Sequence, residues 1–328
     1  MTIKKLDDGI FVDAASIEKI KKLDSIIFDC DGVLIDVSNS YDLAIKKTVD
    51  FVLKEMAGID QPNIVTKDMI DGFKTTGGFN DEVDVAYALI LSVVAAKKMN
   101  KSITELIFDV IKNADQNGIT SVERYLDSLK VDLLEIRKKL AYPGPHDTNL
   151  LYSIFDEIFY GERLYYDLYK RKPKFFNGNG LIDNDIVLAK KELIDELRKK
   201  FGNKIAIISG RSKVSAKYSL KQLFEEFDIK NSRFLEDESR DFAKPNPESL
   251  ISTIRGLQSS YSIFVGDSME DYIMARKADQ IGNQTIFCGI YGTSKDKLAK
   301  RNLFEQKKAE IILERIDLIP KALNLVKV

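Results

Sequence analysis

A short apolar run closed by acidic turn residues stands near the N-terminus: Ser25-Ile26-Ile27-Phe28-Asp29-Cys30-Asp31-Gly32. Continuous apolar runs of this length, ended by turn residues, are typical of strands buried on both faces of a parallel sheet. The same pattern returns at 205–208, 262–265, 284–288 and 310–313. Stretches with apolar residues near a 3.6 period lie between these runs, at 185–201, 213–227 and 247–257. Alternating strands and helices predict an α/β fold, a doubly wound, Rossmann-like parallel sheet.

The chain between residues 37 and 177 has a different character. It contains long amphipathic segments, at 41–55, 81–99 and 121–140, and no convincing strand. Its borders are rich in turn residues, which suits hinges between domains. We therefore expect a discontinuous α/β core domain, formed by 1–36 and 178–328, with an all-helical domain at 37–177 inserted into it.

Composition excludes several classes of protein. The 328 residues carry 50 Lys and Arg against 51 Asp and Glu, and this balance argues against bulk binding of nucleic acid. The longest apolar runs fall far short of the roughly 20 residues that a membrane span needs, and no secretory signal is evident. Two cysteines and one histidine argue against a disulfide scaffold or a structural zinc site. We expect a cytoplasmic protein that binds neither membrane nor nucleic acid; the sequence does not predict its oligomeric state.

Polar residues cluster where the predicted strands end, the edge at which open α/β sheets bind ligands. They are Asp29, Asp31, Ser209, Lys244, Asp267 and Asp271. Taken singly, each has a plain structural interpretation as a turn or helix-cap residue. Taken together, several carboxylates at one edge are unfavourable unless a cation holds them, which favours a functional site.

Four segments resemble motifs I to IV of the haloacid dehalogenase superfamily, in the order in which that family has them. They are Phe28-Asp29-Cys30-Asp31-Gly32-Val33, Ile208-Ser209-Gly210-Arg211, Lys244-Pro245-Asn246-Pro247 and Gly266-Asp267-Ser268-Met269-Glu270-Asp271. The insertion between motifs I and II resembles the helical cap of the subfamily that includes small-molecule phosphatases, although it is longer than the usual four-helix cap.

The resemblance implies a mechanism for a phosphate monoester. Asp29 would be the nucleophile and would form an aspartyl-phosphate. Asp31 would protonate the leaving group as a general acid and then activate water as a base. The second aspartate of motif I and the acidic motif IV argue against cleavage of carbon–halogen bonds.

The remaining motif residues would bind the phosphoryl group. By the resemblance, the Ser209 hydroxyl and the Gly210 N–H would hold phosphoryl oxygens, as backbone donors at a helix start do. Lys244 would neutralise charge on the phosphoryl group and the nucleophile. Gly32, where the chain turns after the strand, is a further expected substrate contact.

The resemblance also implies a Mg²⁺ site, and Mg²⁺ prefers hard oxygen ligands. Its ligands would be the Asp29 carboxylate, the Asp31 backbone carbonyl and the Asp267 carboxylate. Asp271 would act through water or by holding Lys244.

One segment of the predicted helical domain has two interpretations, Lys74-Thr75-Thr76-Gly77-Gly78-Phe79-Asn80-Asp81. It is either a plain helix–helix loop, in which Asn80 or Asp81 caps the next helix, or a substrate-specificity loop. In the second case Lys74 and Asn80 would contact the substrate.

The sequence favours a Mg²⁺-dependent phosphatase that acts on a small phosphorylated metabolite. A phosphomutase on the same scaffold is the main alternative, and a non-catalytic sensor of a phospho-ligand is a third. The identity of the substrate is not predicted.

Overall fold

The computed structural model describes residues 3–79, 81–145, 148–239, 242–294 and 296–326. Its strands, in chain order, are β1 (Ile3–Asp7), β2 (Ile10–Asp13), β3 (Ser25–Phe28), β4 (Ile35–Asp36), β5 (Ile186–Val187), β6 (Ile205–Ser209), β7 (Arg233–Phe234), β8 (Ser262–Gly266), β9 (Thr285–Ile290) and β10 (Ile311–Leu313). Its α-helices are α1 (Ile17–Lys21), α2 (Tyr41–Ala57), α3 (Lys67–Thr75), α4 (Glu82–Lys98), α5 (Ile103–Asn113), α6 (Ile119–Ser128), α7 (Leu134–Leu140), α8 (Leu150–Tyr169), α9 (Lys191–Phe201), α10 (Lys213–Leu220), α11 (Glu248–Gly256), α12 (Met269–Gln280), α13 (Lys297–Lys307) and α14 (Ile319–Leu325).

The chain forms two compact units. We call Met1–Val37 with Ile186–Val328 the sheet unit, and Ser38–Asp185 the helical unit. The helical unit thus continues to Asp185, whereas the sequence places this border at 177. A 3₁₀ turn at Leu181–Asn184 packs against α8 and α2, which accounts for this extension.

A mostly parallel sheet organises the sheet unit, in the order β1-β2-β10-β9-β8-β3-β6-β7. Neighbours from β10 to β7 run parallel, and the β1–β2 hairpin adds two antiparallel strands at one edge. The prediction of a doubly wound α/β fold is confirmed. The sequence did not predict the hairpin.

Two apolar layers cover the two faces of the sheet, because successive side chains of a strand point to opposite faces. Ile26 and Phe28 of β3 belong to one layer together with residues of α9, α10 and α14. Ile27 belongs to the other layer, with residues of α11, α12 and α13. The strands are therefore buried on both faces, which is why they read as unbroken apolar runs.

The helical unit is built around α4, whose side chains from Val85 to Ala95 are all buried. Helices α2, α5, α6 and α8 pack against it. A helix that is apolar on every side is stable only when it is shielded from water all round, and the four neighbouring helices shield α4. No helix within the described part of the chain is long and apolar enough to cross a membrane.

Three sequence-based helices differ from the structure. The helix predicted at 213–227 is an α-helix only as far as Leu220 and is followed by a 3₁₀ helix at Lys221–Glu226. The helix predicted from residue 185 begins only at Lys191, because Ile186 and Val187 pair with Asp36 and Ile35 as β5 and β4. The amphipathic segment at 121–140 is interrupted, and α6 ends at Ser128 before α7 begins at Leu134. Tertiary pairing and a local break override the apolar period in these places.

Candidate active site

The sheet places three motif segments side by side, because β8, β3 and β6 are neighbours. Asp29 follows the last residue of β3, Ser209 is the last residue of β6, and Asp267 follows β8. The backbone N–H of Asp29 donates to the carbonyl of Val265 at 2.8 Å, so the ladder between β3 and β8 continues into motif I. Strand register therefore fixes the backbone of the candidate nucleophile.

The turn after β3 requires glycine at position 32. Gly32 has φ +73°, and its N–H donates to the carbonyl of Ile35 at 2.8 Å. A Cβ atom at this position would lie 2.4 Å from Oδ2 of Asp267. Since glycine alone adopts this conformation freely and leaves that space open, Gly32 lets Asp267 approach the turn. The carbonyl of Gly32 accepts a hydrogen bond from the Thr293 hydroxyl at 3.0 Å.

Lys244 lies between two carboxylates. Its Nζ is 2.6 Å from Oδ1 of Asp29 and 2.8 Å from Oδ1 of Asp271. The side chains of Lys244, Asp29 and Asp271 are 11%, 9% and 0% exposed. Charges this deeply buried need partners, and each of the three has one here.

Asp271 also orders the start of α12. Its Oδ2 accepts from the backbone N–H groups of Asp267 and Ser268, at 3.2 and 3.1 Å, and from the Ser268 hydroxyl at 2.8 Å. Ser268 in turn accepts from the N–H of Asp271, which completes a capping box. Asp271 therefore holds the backbone of motif IV as well as Lys244, as the sequence analysis allowed.

Burial dominates the acid–base properties of this cluster. Desolvation raises the pKa of the Asp29 carboxyl well above its usual range; Lys244 opposes this, and the nearby carboxylates, Asp271 foremost, add to it. Burial by itself would lower the pKa of Lys244, but the carboxylates of Asp271 and Asp29 outweigh it and raise the pKa. Lys244 thus stays charged, and it favours the ionised form of the candidate nucleophile.

Asp31 has a partner that the sequence analysis did not assign. Nε of Arg211 donates to Oδ1 of Asp31 at 2.7 Å, and the Arg211 side chain is 1% exposed. A terminal nitrogen of Arg211 also donates to the Ser219 hydroxyl on α10 at 2.8 Å. Arg211 was visible in motif II, but its partner lies far away in sequence, so the quoted motif did not reveal the pair.

Asp267 also has a cationic partner, from outside the four motifs. Nζ of Lys300, on α13, lies 2.6 Å from Oδ2 of Asp267. The two side chains are 19% and 22% exposed. No local sequence pattern marks Lys300, which is one lysine of a basic helix.

The donor set fits a hard divalent cation. Asp29, Asp267 and Asp271 each offer a carboxylate oxygen, and these oxygens lie within 4.8 Å of one another. Mg²⁺ favours such oxygen ligands. The side chain of Asp31 is directed to Arg211, which is compatible with the prediction that this residue would offer its backbone carbonyl.

Motif II residues lie at the same sheet edge, in contrasting surroundings. The Ser209 side chain is fully buried, and its Oγ accepts the N–H of Arg211 at 3.1 Å. Gly210 is exposed, and a Cβ there would meet nothing within 4 Å. The roles predicted for both residues in phosphoryl binding stay predictions.

The two predicted substrate contacts of the insertion belong to the helical unit. Lys74, near the end of α3, lies 3.3 Å from Oε1 of Glu82, and Asn80 lies outside the described residues. Asp81 caps α4 by accepting the N–H of Val83 at 2.8 Å, which confirms one of the two residues proposed for that cap. Phe79 is buried against Phe73, with ring centroids 4.9 Å apart.

No curated protein matches the sequence of this chain, whereas several solved structures share its fold. Among solved structures, phosphatase Tt82 from Thermococcus thioreducens is similar, with a TM-score of 0.56 and 21% identity over 85% of this chain and 98% of that one. A target of the Northeast Structural Genomics Consortium has a TM-score of 0.63 and 18% identity over 92% of this chain and 98% of that one. These likenesses support the fold.

The family is established by a family model rather than by these structures. The model for haloacid dehalogenase-like hydrolases matches residues 23–279, which include β3, the whole helical unit and the four motif segments. The resemblance read from the motifs is confirmed. With motif I on β3 and motif IV after β8 of one parallel sheet, this chain is a hydrolase and belongs to the haloacid dehalogenase-like family.

Proposed function

We propose that this hydrolase is a Mg²⁺-dependent phosphatase that cleaves a small phosphate monoester. The observation that carries the proposal is the convergence of Asp29, Asp31, Asp267 and Lys244 at one edge of the sheet, with Asp29 held against the Lys244 ammonium at 2.6 Å. Phosphoryl transfer through an aspartyl-phosphate requires a carboxylate beside a cation and a second group that can exchange a proton with the substrate. Asp29 beside Lys244 meets the first requirement, and the more exposed Asp31 meets the second.

The first step makes one bond and breaks another. A carboxylate oxygen of Asp29 attacks phosphorus, and the bond from phosphorus to the ester oxygen breaks. The leaving alkoxide takes a proton from Asp31, whose side chain is 28% exposed and so accessible to a ligand. The products of this step are the free alcohol and an acyl-phosphate on Asp29.

The second step restores the enzyme. Water attacks the phosphorus of the acyl-phosphate and gives a proton to the Asp31 carboxylate, so that inorganic phosphate leaves and Asp29 is regenerated. Lys244 offsets the negative charge near Asp29 in both steps. Mg²⁺, held by Asp29, Asp267 and the Asp31 carbonyl with support from Asp271, would supply further positive charge toward the phosphoryl oxygens.

Hydrolysis of a generic aryl phosphate tests the proposal. The purified chain should release inorganic phosphate with Mg²⁺ and lose that activity in EDTA, and Asp29→Asn should abolish turnover because an amide cannot form the acyl-phosphate. Activity that survives in chelator would refute the metal assignment. Return of the phosphoryl group to a sugar phosphate without phosphate release would support the mutase alternative instead.

A panel of phosphorylated metabolites tests the substrate contacts proposed for Lys74 and Asn80. Lys74→Met and Asn80→Ala should alter KM and the ranking of substrates, while turnover of the aryl phosphate largely survives. An unchanged ranking would favour the plain helix–helix loop.

A further inference from the structure

Charged groups at the candidate site nearly balance. Among the described residues it brings together four carboxylates and three cations, namely Asp29, Asp31, Asp267, Asp271, Lys244, Arg211 and Lys300. These groups carry one net negative charge when all are ionised. Lys300 stands apart from the other two cations because it comes from α13 rather than from a motif segment.

The backbone of Asp267 is positioned by contacts other than Lys300. It follows directly on β8, its carboxylate approaches the position that a side chain at Gly32 would fill, and its N–H donates to Oδ2 of Asp271. The ion pair with Lys300 is therefore a charged contact of the Asp267 carboxylate, added to a backbone that other groups hold. Its main effect should be on the electrostatic potential at Asp267.

We propose that Lys300 weakens the binding of a divalent cation at Asp267, so that the metal binds tightly only together with a phosphate dianion. The inference rests on the metal-dependent function proposed above. With Asp31 protonated, as the first step requires, the cluster is neutral; a divalent cation brings its net charge to +2, and a phosphate dianion returns it to zero. Without Lys300, the metal alone would bring the net charge only to +1.

The size of the effect follows from Coulomb repulsion. The ammonium and the metal would share one carboxylate, and even with the strong screening of water the repulsion between them corresponds to about a tenfold change in metal affinity. Because binding is reciprocal, a metal that is disfavoured alone and favoured with phosphate also strengthens phosphate binding.

Calorimetric titration of the full chain with Mg²⁺ tests the inference without measuring turnover. Lys300→Met should bind Mg²⁺ about tenfold more tightly than the wild type, and Lys300→Arg should resemble the wild type because it keeps the charge. Saturating inorganic phosphate should strengthen Mg²⁺ binding more in the wild type than in Lys300→Met. Lys297→Met is the matched control, since Lys297 lies on the same helix and pairs with Glu314 at 3.0 Å.

Several results would overturn the inference. Equal Mg²⁺ affinity in Lys300→Met, or affinity lowered by about 10- to 100-fold, would show that Lys300 is neutral or orients Asp267 for the metal. Lys300→Gln, with unchanged circular dichroism, guards against misfolding of the methionine variant. Absence of Mg²⁺ binding in the wild type, with turnover that resists EDTA, would overturn the proposed metal dependence too. Magnesium-dependent turnover with unaltered affinity in the variants would overturn the role of Lys300 alone.

Discussion

Lys244→Met removes a buried charge while keeping a chain of similar length. In the wild type the ammonium makes short charged contacts with Asp29 and Asp271, at 2.6 and 2.8 Å. A hydrogen bond to a charged group contributes about 1.5–3 kcal/mol, and breaking a buried ion pair costs about 3–5 kcal/mol. Protonation of Asp29 limits the loss, so we expect unfolding free energy to fall by about 3 kcal/mol at neutral pH.

Urea denaturation followed by far-ultraviolet circular dichroism measures this loss, since the chain has no tryptophan. Lys217→Met is the matched control: Lys217 pairs with Glu225 at 2.8 Å, but both side chains are mostly exposed. An exposed pair of this kind contributes about 1 kcal/mol or less.

A double variant separates charge balance from packing. Lys244→Met leaves two carboxylates without their cation, whereas the double variant with Asp271→Asn leaves one. The losses of unfolding free energy in the two single variants should therefore add up to at least about 1 kcal/mol more than the loss in the double variant. A loss in Lys244→Met no larger than that in Lys217→Met, or strict additivity, would refute the conclusion that Lys244 balances both buried carboxylates.

Three further predictions concern other parts of the sheet unit. Asp31→Asn should slow hydrolysis of alkyl phosphates by roughly 10²- to 10⁴-fold and affect aryl phosphates much less; equal loss on both would count against Asp31 as the acid. Gly32→Ala should reduce turnover more than tenfold and lower the free energy of unfolding by about 1 kcal/mol or more, because a Cβ there meets Asp267. Gly202 is the control, since it also has a positive φ but lies in open space. Gly202→Ala should lower the free energy of unfolding by about 1 kcal/mol and leave kcat intact. Hydrogen bonds from Ser259, Tyr261 and Ser260, and the Lys204 ammonium, outweigh burial and lower the pKa of Asp24 to about 2. A carboxyl whose pKa is lower in the folded state than in the unfolded state, here near 3.8, stabilises the fold above that pH, and this stabilisation is lost as pH falls toward 2. After allowance for partial exposure, Asp24→Asn should be about 1 kcal/mol less stable than the wild type at pH 7. The difference in unfolding free energy, measured by urea denaturation, should close below pH 4.

The core strands could be predicted from the sequence because they are buried on both faces. The run at 25–28 coincides with β3, and the runs from Ile205 and Ser262 match β6 and β8 to within a residue. The sequence does not predict the β1–β2 hairpin because β1 is an edge strand with exposed lysines, which gives no continuous apolar run. The sequence predicts helix at β5 because Ile186 also fits the apolar period that continues into α9.

The candidate active site likewise contains residues that the sequence predicts and residues that it does not. The motif carboxylates and Lys244 were predictable, since each stands beside a strand end or in a motif of the resembling family. The contacts of Lys244 with Asp29 and Asp271 were expected as well, but the cationic partners of Asp31 and Asp267 were not. Lys300 contacts Asp267, and Arg211 contacts Asp31. Each contact joins residues that lie far apart in the chain, and a local sequence pattern does not predict such pairs. The pairing of these two cations with Asp31 and Asp267 is therefore known only from the structure.

The placement of the helical unit within the chain has a consequence for how the protein is made. Ile26 of β3 pairs with Ile205 and Ile263, so both neighbours of this strand are synthesised long after it. At a translation rate of roughly 5–20 residues per second, β3 waits on the order of ten seconds or more for its first partner. During that interval the helical unit, with its local helix–helix contacts, can become compact first, while β3, in which three of four residues are apolar, stays exposed beside the ribosome. The nascent β3 segment is accordingly the part of this chain at which we expect a chaperone to bind.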